Sequence, residues 1–356
     1  MVQAYETDTG SAGPEDPGQP VAGSGSRFRR LRTIGPFRPW RGDGDGGKGP
    51  WRRGIVLAGC AVVVALLTAL HAQIPNRIGN LGSLSETFLP WLAVLTVPPL
   101  LVAALWRRSG TALVALSLPV VVWLNLFGGL IADKSSGGGD LTVASHNVNA
   151  GNPDPEGTAR EVAGAGADVL ALQELAHGQV SAYRKALSGT YEYHSVQGTV
   201  GLWSKYPLKQ VAPVDIRMGW TRAMRATVAT PQGDVAVYVA HMPSVRVKMN
   251  AGFTANERDK SADALGEAIA MEETAHVVLL GDLNGTMNDR ALQAITSQMR
   301  STQGAAGDGF GFSWPASFPM ARIDQILVKG AEPVDSWTLP RTDSDHLPIA
   351  ASIKLR

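Results

Sequence analysis

Three short polar runs carry the chemistry this chain could perform: Gln173-Glu174, Gly281-Asp282-Leu283-Asn284, and Thr342-Asp343-Ser344-Asp345-His346-Leu347-Pro348. Each follows or flanks an apolar run that reads as a β-strand. A carboxylate two residues from an amide, at a strand end, can hold a phosphate and a metal-bound water together. An Asp-His pair at another strand end supplies a ligand and a base. Cleavage of a phosphate ester or anhydride needs a cation to neutralise the non-bridging oxygens and a base for the attacking water. These residue types meet both needs.

The elements that must position them begin at Asp140, where the pattern changes to short β-rich runs alternating with helical stretches. Strands are predicted at Leu141–Ser145, Val169–Leu172, Gly201–Ser204, Arg225–Ala229, Val235–Ala240, Val277–Leu280, Ile323–Val328 and Ile349–Ile353. Helices are predicted at Glu156–Ala163, Gln179–Leu187, Asn256–Glu272 and Asp289–Met299. This is an α/β domain over residues 141–356, with no internal repeat. Its polar residues stand at strand ends in the order Asn147, Glu174, His241, Asp282 with Asn284, Asp324, then Asp345 with His346.

That order and those local contexts resemble the endonuclease/exonuclease/phosphatase superfamily, over essentially all of residues 140–356. The resemblance implies a four-layer α/β sandwich of the DNase I-like type, with two central sheets and a site opening at the strand ends. It implies a metal-dependent hydrolase of phosphoric esters or anhydrides. Glu174 is then the expected main ligand of Mg²⁺, or of Mn²⁺ in its place, since hard cations prefer carboxylate oxygens. Asn147 is expected to contact the metal or the scissile phosphate, with Asn149 as its rival. Asp282 positions the nucleophilic water and Asn284 donates to the phosphate. His346 is the base or the phosphate-polarising group, and Asp324 orients its imidazole. Asp345 is a second metal-site candidate, and His241 stabilises charge on the transferring phosphoryl group. Arg222 and Arg225 are secondary phosphate-clamp candidates. His146, Gln325 and Lys205 depart from common family residues without removing a group the chemistry needs.

Composition adds the setting. The chain has 356 residues and a net charge of +1. From Asp140 onward, however, 19 Lys and Arg stand against 23 Asp and Glu, a net −4. A protein that grips duplex DNA carries a clustered basic surface, so no stable nucleic-acid partner is expected. Cys60 is the sole cysteine, which excludes an intramolecular disulfide and a Cys-based zinc site. Residues 1–53, rich in Gly, Pro and Arg, read as a disordered basic tail. Residues 54–131 hold three apolar segments, Gly54–Ala72, Phe88–Leu105 and Thr111–Ile131, each close to the ~20 residues that cross a bilayer. Residues 132–140 read as a Gly/Ser linker.

Nine Arg and Lys lie between Arg27 and Arg53, and Arg107-Arg108 lie in the second short loop, whereas the first loop has only Arg77. The positive-inside rule then places the N-terminus in the cytoplasm and the catalytic domain outside, behind a multi-pass anchor in the cell membrane. A tethered, compact, acidic phosphohydrolase fits a phosphorylated lipid at the outer leaflet. The layout resembles the VanJ-type membrane proteins of actinomycetes, which implies dephosphorylation of undecaprenyl pyrophosphate and teicoplanin resistance. The alternatives are an anchored extracellular nuclease using Arg217, Arg222, Arg225, Arg246 and Lys248, a sphingomyelinase-like phospholipase C, or a non-catalytic shield that binds the antibiotic or lipid II.

Overall fold

A computed structural model describes residues 51–77, 79–248 and 252–355. Most of the expected disordered tail, residues 1–50, lies outside the described residues. The first described elements are five helices: α1 (Ile55–Ala69), α2 (Leu81–Thr87), α3 (Leu89–Trp106), α4 (Gly110–Ala115) and α5 (Ser117–Ile131). Among the described residues two runs are long and apolar enough to cross a membrane, α3 with 18 residues and the α4–α5 run Gly110–Ile131 with 22. The third expected span is shorter than its sequence suggests. Helix α1 has 15 residues and gives way to a 3₁₀ turn at His71–Gln73, just before Pro75. The two longer runs are unlike core helices of a globule, since only 22% and 17% of their apolar windows are buried. Leu95, Val102, Leu105, Trp106, Val114 and Val121 face outward, an apolar surface of the kind that marks a lipid or protein contact.

Among the described residues the rest of the chain contributes fourteen strands. They are β1 (Leu141–Asn147), β2 (Val169–Gln173), β3 (Tyr193–Gln197), β4 (Val200–Ser204), β5 (Leu208–Pro213), β6 (Ala223–Thr230) and β7 (Gly233–His241). There follow β8 (Val247–Lys248), β9 (Gly252–Phe253), β10 (His276–Asp282), β11 (Arg300–Ser301), β12 (Asp324–Lys329), β13 (Ala331–Thr338) and β14 (Ile349–Leu355). Between them run α6 (Pro155–Ala163), α7 (Val180–Leu187), α8 (Asn256–Ala270), α9 (Gln293–Thr296) and α10 (Thr302–Ala306). One sheet has the order β13-β14-β1-β2-β4-β3 and the other β11-β12-β10-β7-β6-β5. Each has one parallel pair at its centre, β1 with β2 and β7 with β10, and antiparallel neighbours outside it.

Side-chain alternation along the strands makes the layers. Leu141 and Val143 of β1 face Val237, Val239, Val278 and Leu280 of the other sheet across the central core. Ala144 of β1 and Leu170 and Leu172 of β2 point the opposite way, onto Val162 of α6 and Tyr183 and Leu187 of α7. In the second sheet Ala236, Val277, Leu279 and Leu327 pack on Leu265 and Ile269 of α8 and Ile295 of α9. The result is helix, sheet, sheet, helix, the expected four-layer α/β sandwich. The predicted helix Asp289–Met299 breaks into a 3₁₀ turn, Arg290–Leu292, followed by the single turn α9. Asp289 fixes the start of that turn, its carboxylate accepting from Ala291 N–H and pairing with the buried Arg258 at 2.7 Å.

The apolar helices are docked on this sandwich through a polar contact. Glu86 near the end of α2 is fully buried, and its carboxylate accepts from Arg290 Nε at 2.9 Å and from Arg290 N–H at 3.3 Å. Arg290 Nη2 also donates to His71 O at 2.8 Å. Trp91 Nε1 on α3 donates to Met320 O at 2.7 Å, and Phe312 stacks on Trp91. The linker joins in, with Ser136 N–H donating to Val334 O at 2.6 Å on the edge strand β13. Removing one partner of a buried ion pair strands the other charge out of water. Burial already raises the Glu86 carboxyl to about 7, so without Arg290 it takes up a proton, and Arg290→Ala lowers unfolding stability by about 1–2 kcal/mol rather than by the full cost of a stranded charge. A thermal melt of the full-length protein in detergent checks this, with surface variant Arg184→Ala as the unchanged comparison.

Candidate active site

Two parallel strand pairs deliver the polar groups to one end of the sandwich. In the first sheet Asn147 ends β1 beside Gln173 of β2, and Glu174 follows directly. In the second, His241, Asp282 and Asp324 lie on one rung, since β7 pairs His241 with Asp282 and β12 pairs Asp282 with Asp324. Gly281 makes that rung possible. Its φ is +153°, and any Cβ there would run into the Ala240 carbonyl on β7. The loop before β14 carries Asp345 and His346. Ser344 ties that loop to β1 by donating to Asn147 O at 2.6 Å while accepting from His346 N–H.

Three non-glycine residues here adopt left-handed backbone: Asn149 (φ 61°), Glu174 (φ 60°) and Asn284 (φ 47°). Asparagine tolerates this well, but for a glutamate it is a strained position of the sort held at functional sites. The strain turns the Glu174 carboxylate back over β1, where it accepts from Asn147 Nδ2 at 3.1 Å and from Ala150 N–H at 3.1 Å. Asp282 accepts from the same Asn147 Nδ2 at 3.0 Å and from Asn284 N–H at 2.9 Å. Two carboxylates thus converge on one neutral amide, with Glu174 part exposed to the cleft and Asp282 buried. Carboxylate and amide oxygens gathered at one point are hard donors, so this donor set fits a hard divalent cation.

Asp282, Asp324 and His346 form a second tight cluster, with one ligand-capable atom from each within 4.8 Å of the others. It is better read as a hydrogen-bonded pair beside a carboxylate. Asp324 Oδ2 is taken, accepting from Ser313 Oγ at 2.6 Å and lying 2.8 Å from His346 Nδ1. Burial works against charge on His346, but Asp324 and Asp282 outweigh it and raise its pKa to about 10. A protonated imidazole has no lone pair for a metal. Burial pushes Asp282 up to about 7, against the opposing pull of His346. His241 is different again: burial, Arg222 and His346 together hold it well below its ordinary pKa. Its Nε2 sits 3.4 Å from Glu174 Oε1 and 3.8 Å from Asp282 Oδ2. The site therefore offers one neutral and one charged imidazole facing two carboxylates.

Arg222 packs against the His241 ring and over Trp220, 5.1 Å from that indole's centre, and it lines the cleft with Glu174 and His241. Arg225 does not reach the site. Three residues further along, on β6, it binds Glu272 at 3.0 and 3.1 Å together with Gln210, Thr227 and Thr274. The expectation of a phosphate clamp at Arg225 is thus corrected to a structural ion pair. Asp345 lies at the cleft wall, but its carboxylate accepts from Asn149 Nδ2 at 2.9 Å and stays outside both carboxylate clusters. Asn149 serves as that partner, leaving Asn147 as the inner amide. Sequence reasoning missed Ser313 and Trp220, and it quoted Ser344 within its run without giving it a role. It also missed Thr87 and Phe88, which close α2 and line the cleft with Glu174, Asp282 and His346. No local sequence signal marks these residues.

Several solved structures share the fold. A functionally unknown conserved protein from Enterococcus faecalis V583 is 14% identical with a TM-score of 0.51, over 61% of this chain and 100% of that one. An endonuclease/exonuclease/phosphatase family protein from Bacteroides thetaiotaomicron is 17% identical with a TM-score of 0.51, over 60% and 94%. A humanized TDP2 from D. rerio is 19% identical with a TM-score of 0.50, over 60% and 98%. At such identities the likeness is one of fold. No curated protein matches the chain. The Endonuclease/Exonuclease/phosphatase family model matches residues 144–346, from the middle of β1 through the histidine of the Asp324–His346 pair. The chain belongs to that family.

Proposed function

We propose that this protein is a membrane-anchored, metal-dependent phosphohydrolase acting on a phosphorylated lipid, with undecaprenyl pyrophosphate as its substrate. The observation that carries the reading is the composition of the cleft. Glu174, Asp282 and His346 share it with Thr87 and Phe88, which lead directly into the outward-facing apolar helix α3. A phosphate bound there lies beside an apolar surface suited to lipid. The basic N-terminal segment and Arg107-Arg108 favour an N-terminus in the cytoplasm and a catalytic domain outside. In that setting a lipid-carrier pyrophosphatase would contribute to teicoplanin-type resistance, as the VanJ-like layout suggests. Of the basic residues a nuclease would use, Arg225 is committed to Glu272 and Arg217 pairs with Glu267 at the surface, which leaves Arg222 and Arg246 on the cleft.

The residues divide the work as follows. Glu174, with Asn147 beside it, would hold Mg²⁺ or Mn²⁺, which when bound neutralises charge on the phosphate oxygens. Asp282, with a pKa near neutrality, orients the attacking water and accepts its proton. Asn284, expected to donate to the phosphate, instead spends its amide on Met242 O at 3.0 Å and Asp282 Oδ2 at 3.2 Å, and with its N–H keeps the Asp282 carboxylate turned inward. His346 holds positive charge where negative charge develops, fixed in place by Asp324 and Ser313. Neutral His241 and Arg222 donate to the transferring phosphoryl group.

Glu174→Ala should leave the fold intact, because Glu174 lies in a partly exposed turn. It should cut phosphate release from undecaprenyl pyrophosphate roughly 10³-fold or more, the several kcal/mol that charge neutralisation supplies. The assay uses full-length protein with Mg²⁺, beside a plasmid-cleavage assay, and a chelator should abolish turnover. DNA cleavage without lipid turnover would show an anchored nuclease instead. The pH profile of kcat/KM gives a second test. Asp282 must be deprotonated, so activity rises with pH through about 7, or lower where a nearby bound cation favours the carboxylate. Charge on His346 is lost as pH climbs through about 10, so activity falls there. His346→Gln should remove the descending limb, and a profile unchanged by that substitution would refute the assignment.

A further inference from the structure

Beside the catalytic cleft lies a second cavity of about 290 Å³, between α5 and the loop that precedes β12. Its apolar wall is Leu126, Phe127 and Leu130 of α5 facing Phe310 and Phe312 of the loop. Thr286, Asn288, Gln303 and Gln325 lie on the side toward the sandwich. The aromatic side is firmly built. Phe310 stacks on Phe312 with ring centres 5.0 Å apart, and Phe310 meets Trp123 and Phe127 at 6.0 and 5.9 Å. Arg322 pins the same loop, its Nη1 donating to Gly311 O at 2.7 Å.

The cavity and the cleft adjoin. Thr87 lines both, and the consecutive residues Arg322 and Ile323 line the cavity and the cleft respectively. The seam carries positive charge. Arg322 is 6% exposed, and its Nε and Nη2 have no partner among the described residues. At the far end Leu126 and Leu130 belong to the apolar helix that is long enough to cross a membrane. The path thus runs from an outward apolar surface, past a buried guanidinium, to a cluster of carboxylates and imidazoles. That sequence of environments matches one amphiphile read from tail to head.

We infer that the cavity between α5 and the Phe310–Phe312 loop holds the first part of the hydrocarbon chain of the lipid whose phosphate lies in the cleft. Arg322 meets the negative oxygen nearest the chain. This rests on the phosphohydrolase reading above and adds a selectivity that the catalytic groups alone lack. A short-chain pyrophosphate reaches the same groups but leaves most of the cavity unfilled, so each further buried methylene favours the longer chain.

The test measures kcat/KM of full-length protein in detergent with Mg²⁺ for isopentenyl pyrophosphate, of five carbons, and farnesyl pyrophosphate, of fifteen. The wild type should prefer the longer chain by at least about tenfold. Leu130→Trp, which fills the cavity from α5, should bring the ratio of the two values close to one. Farnesol supplies a reading that needs no variant: it should raise KM for farnesyl pyrophosphate and leave KM for isopentenyl pyrophosphate in place. Equal turnover of both chains by the wild type, or a ratio that survives Leu130→Trp in a folded protein, would overturn the tail site while leaving the phosphohydrolase standing. Hydrolysis of neither pyrophosphate would overturn the reading beneath it, and the inference with it.

Discussion

The structure depends on the register of three strands. β7, β10 and β12 place His241, Asp282 and Asp324 on one rung at the end of the second sheet. Because side chains alternate along a strand, a slip of one residue in any of them would turn one of these polar groups toward the core or the covering helices. The hydrophobic faces forbid that slip. Val237, Val239, Val278, Leu280, Ile326 and Val328 all have to face the other sheet. The core thereby specifies the site: the apolar residues that stabilise the sandwich also fix where the polar ones end. Gly281 lets the two central strands come close enough for the rung to close.

On that frame the electrostatics follow from burial and neighbours. Identical residue types acquire different states a few ångströms apart. His346 faces two carboxylates and holds its proton, whereas His241 is buried against a guanidinium and gives its proton up. Asp324 is lowered and Asp282 raised, although both are buried on the same rung. Two acids and two bases pushed apart in this way are the signature of a site that does proton and charge management.

Much of this is legible in the sequence. Residues at strand ends stand out because an apolar run stops at a polar group: Asn147, His241 and Asp282 close β1, β7 and β10, Glu174 follows β2 directly, Asp324 opens β12, and His346 stands out through its Ser-Asp-His-Leu-Pro run in the loop before β14. The remainder is legible only in three dimensions. Arg225 reads like Arg222 along the chain, yet strand alternation and Glu272 take it elsewhere. Asp345 adjoins His346 in sequence, but the turn sends its carboxylate to Asn149. Edge strand β13 escapes a pattern reading because Pro333, Asp335 and Ser336 look like a loop, and its register shifts at Pro333/Asp335. Ser313 sits in a glycine- and phenylalanine-rich stretch and gains its role only when that stretch folds over Asp324.

The contact between Glu86 and Arg290 bears on how the protein can be handled as a reagent. Cutting the chain in the linker to obtain a water-soluble catalytic fragment is the usual shortcut for an anchored enzyme. Here it would delete Thr87 and Phe88 from the cleft wall, leave Arg290 without its carboxylate, and uncover Phe310 and Phe312. Such a fragment keeps Glu174, Asp282 and His346 but loses the apolar surface beside them. A screen for inhibitors run on it would reward compounds that grip phosphate and overlook those that exploit the seam between anchor and enzyme.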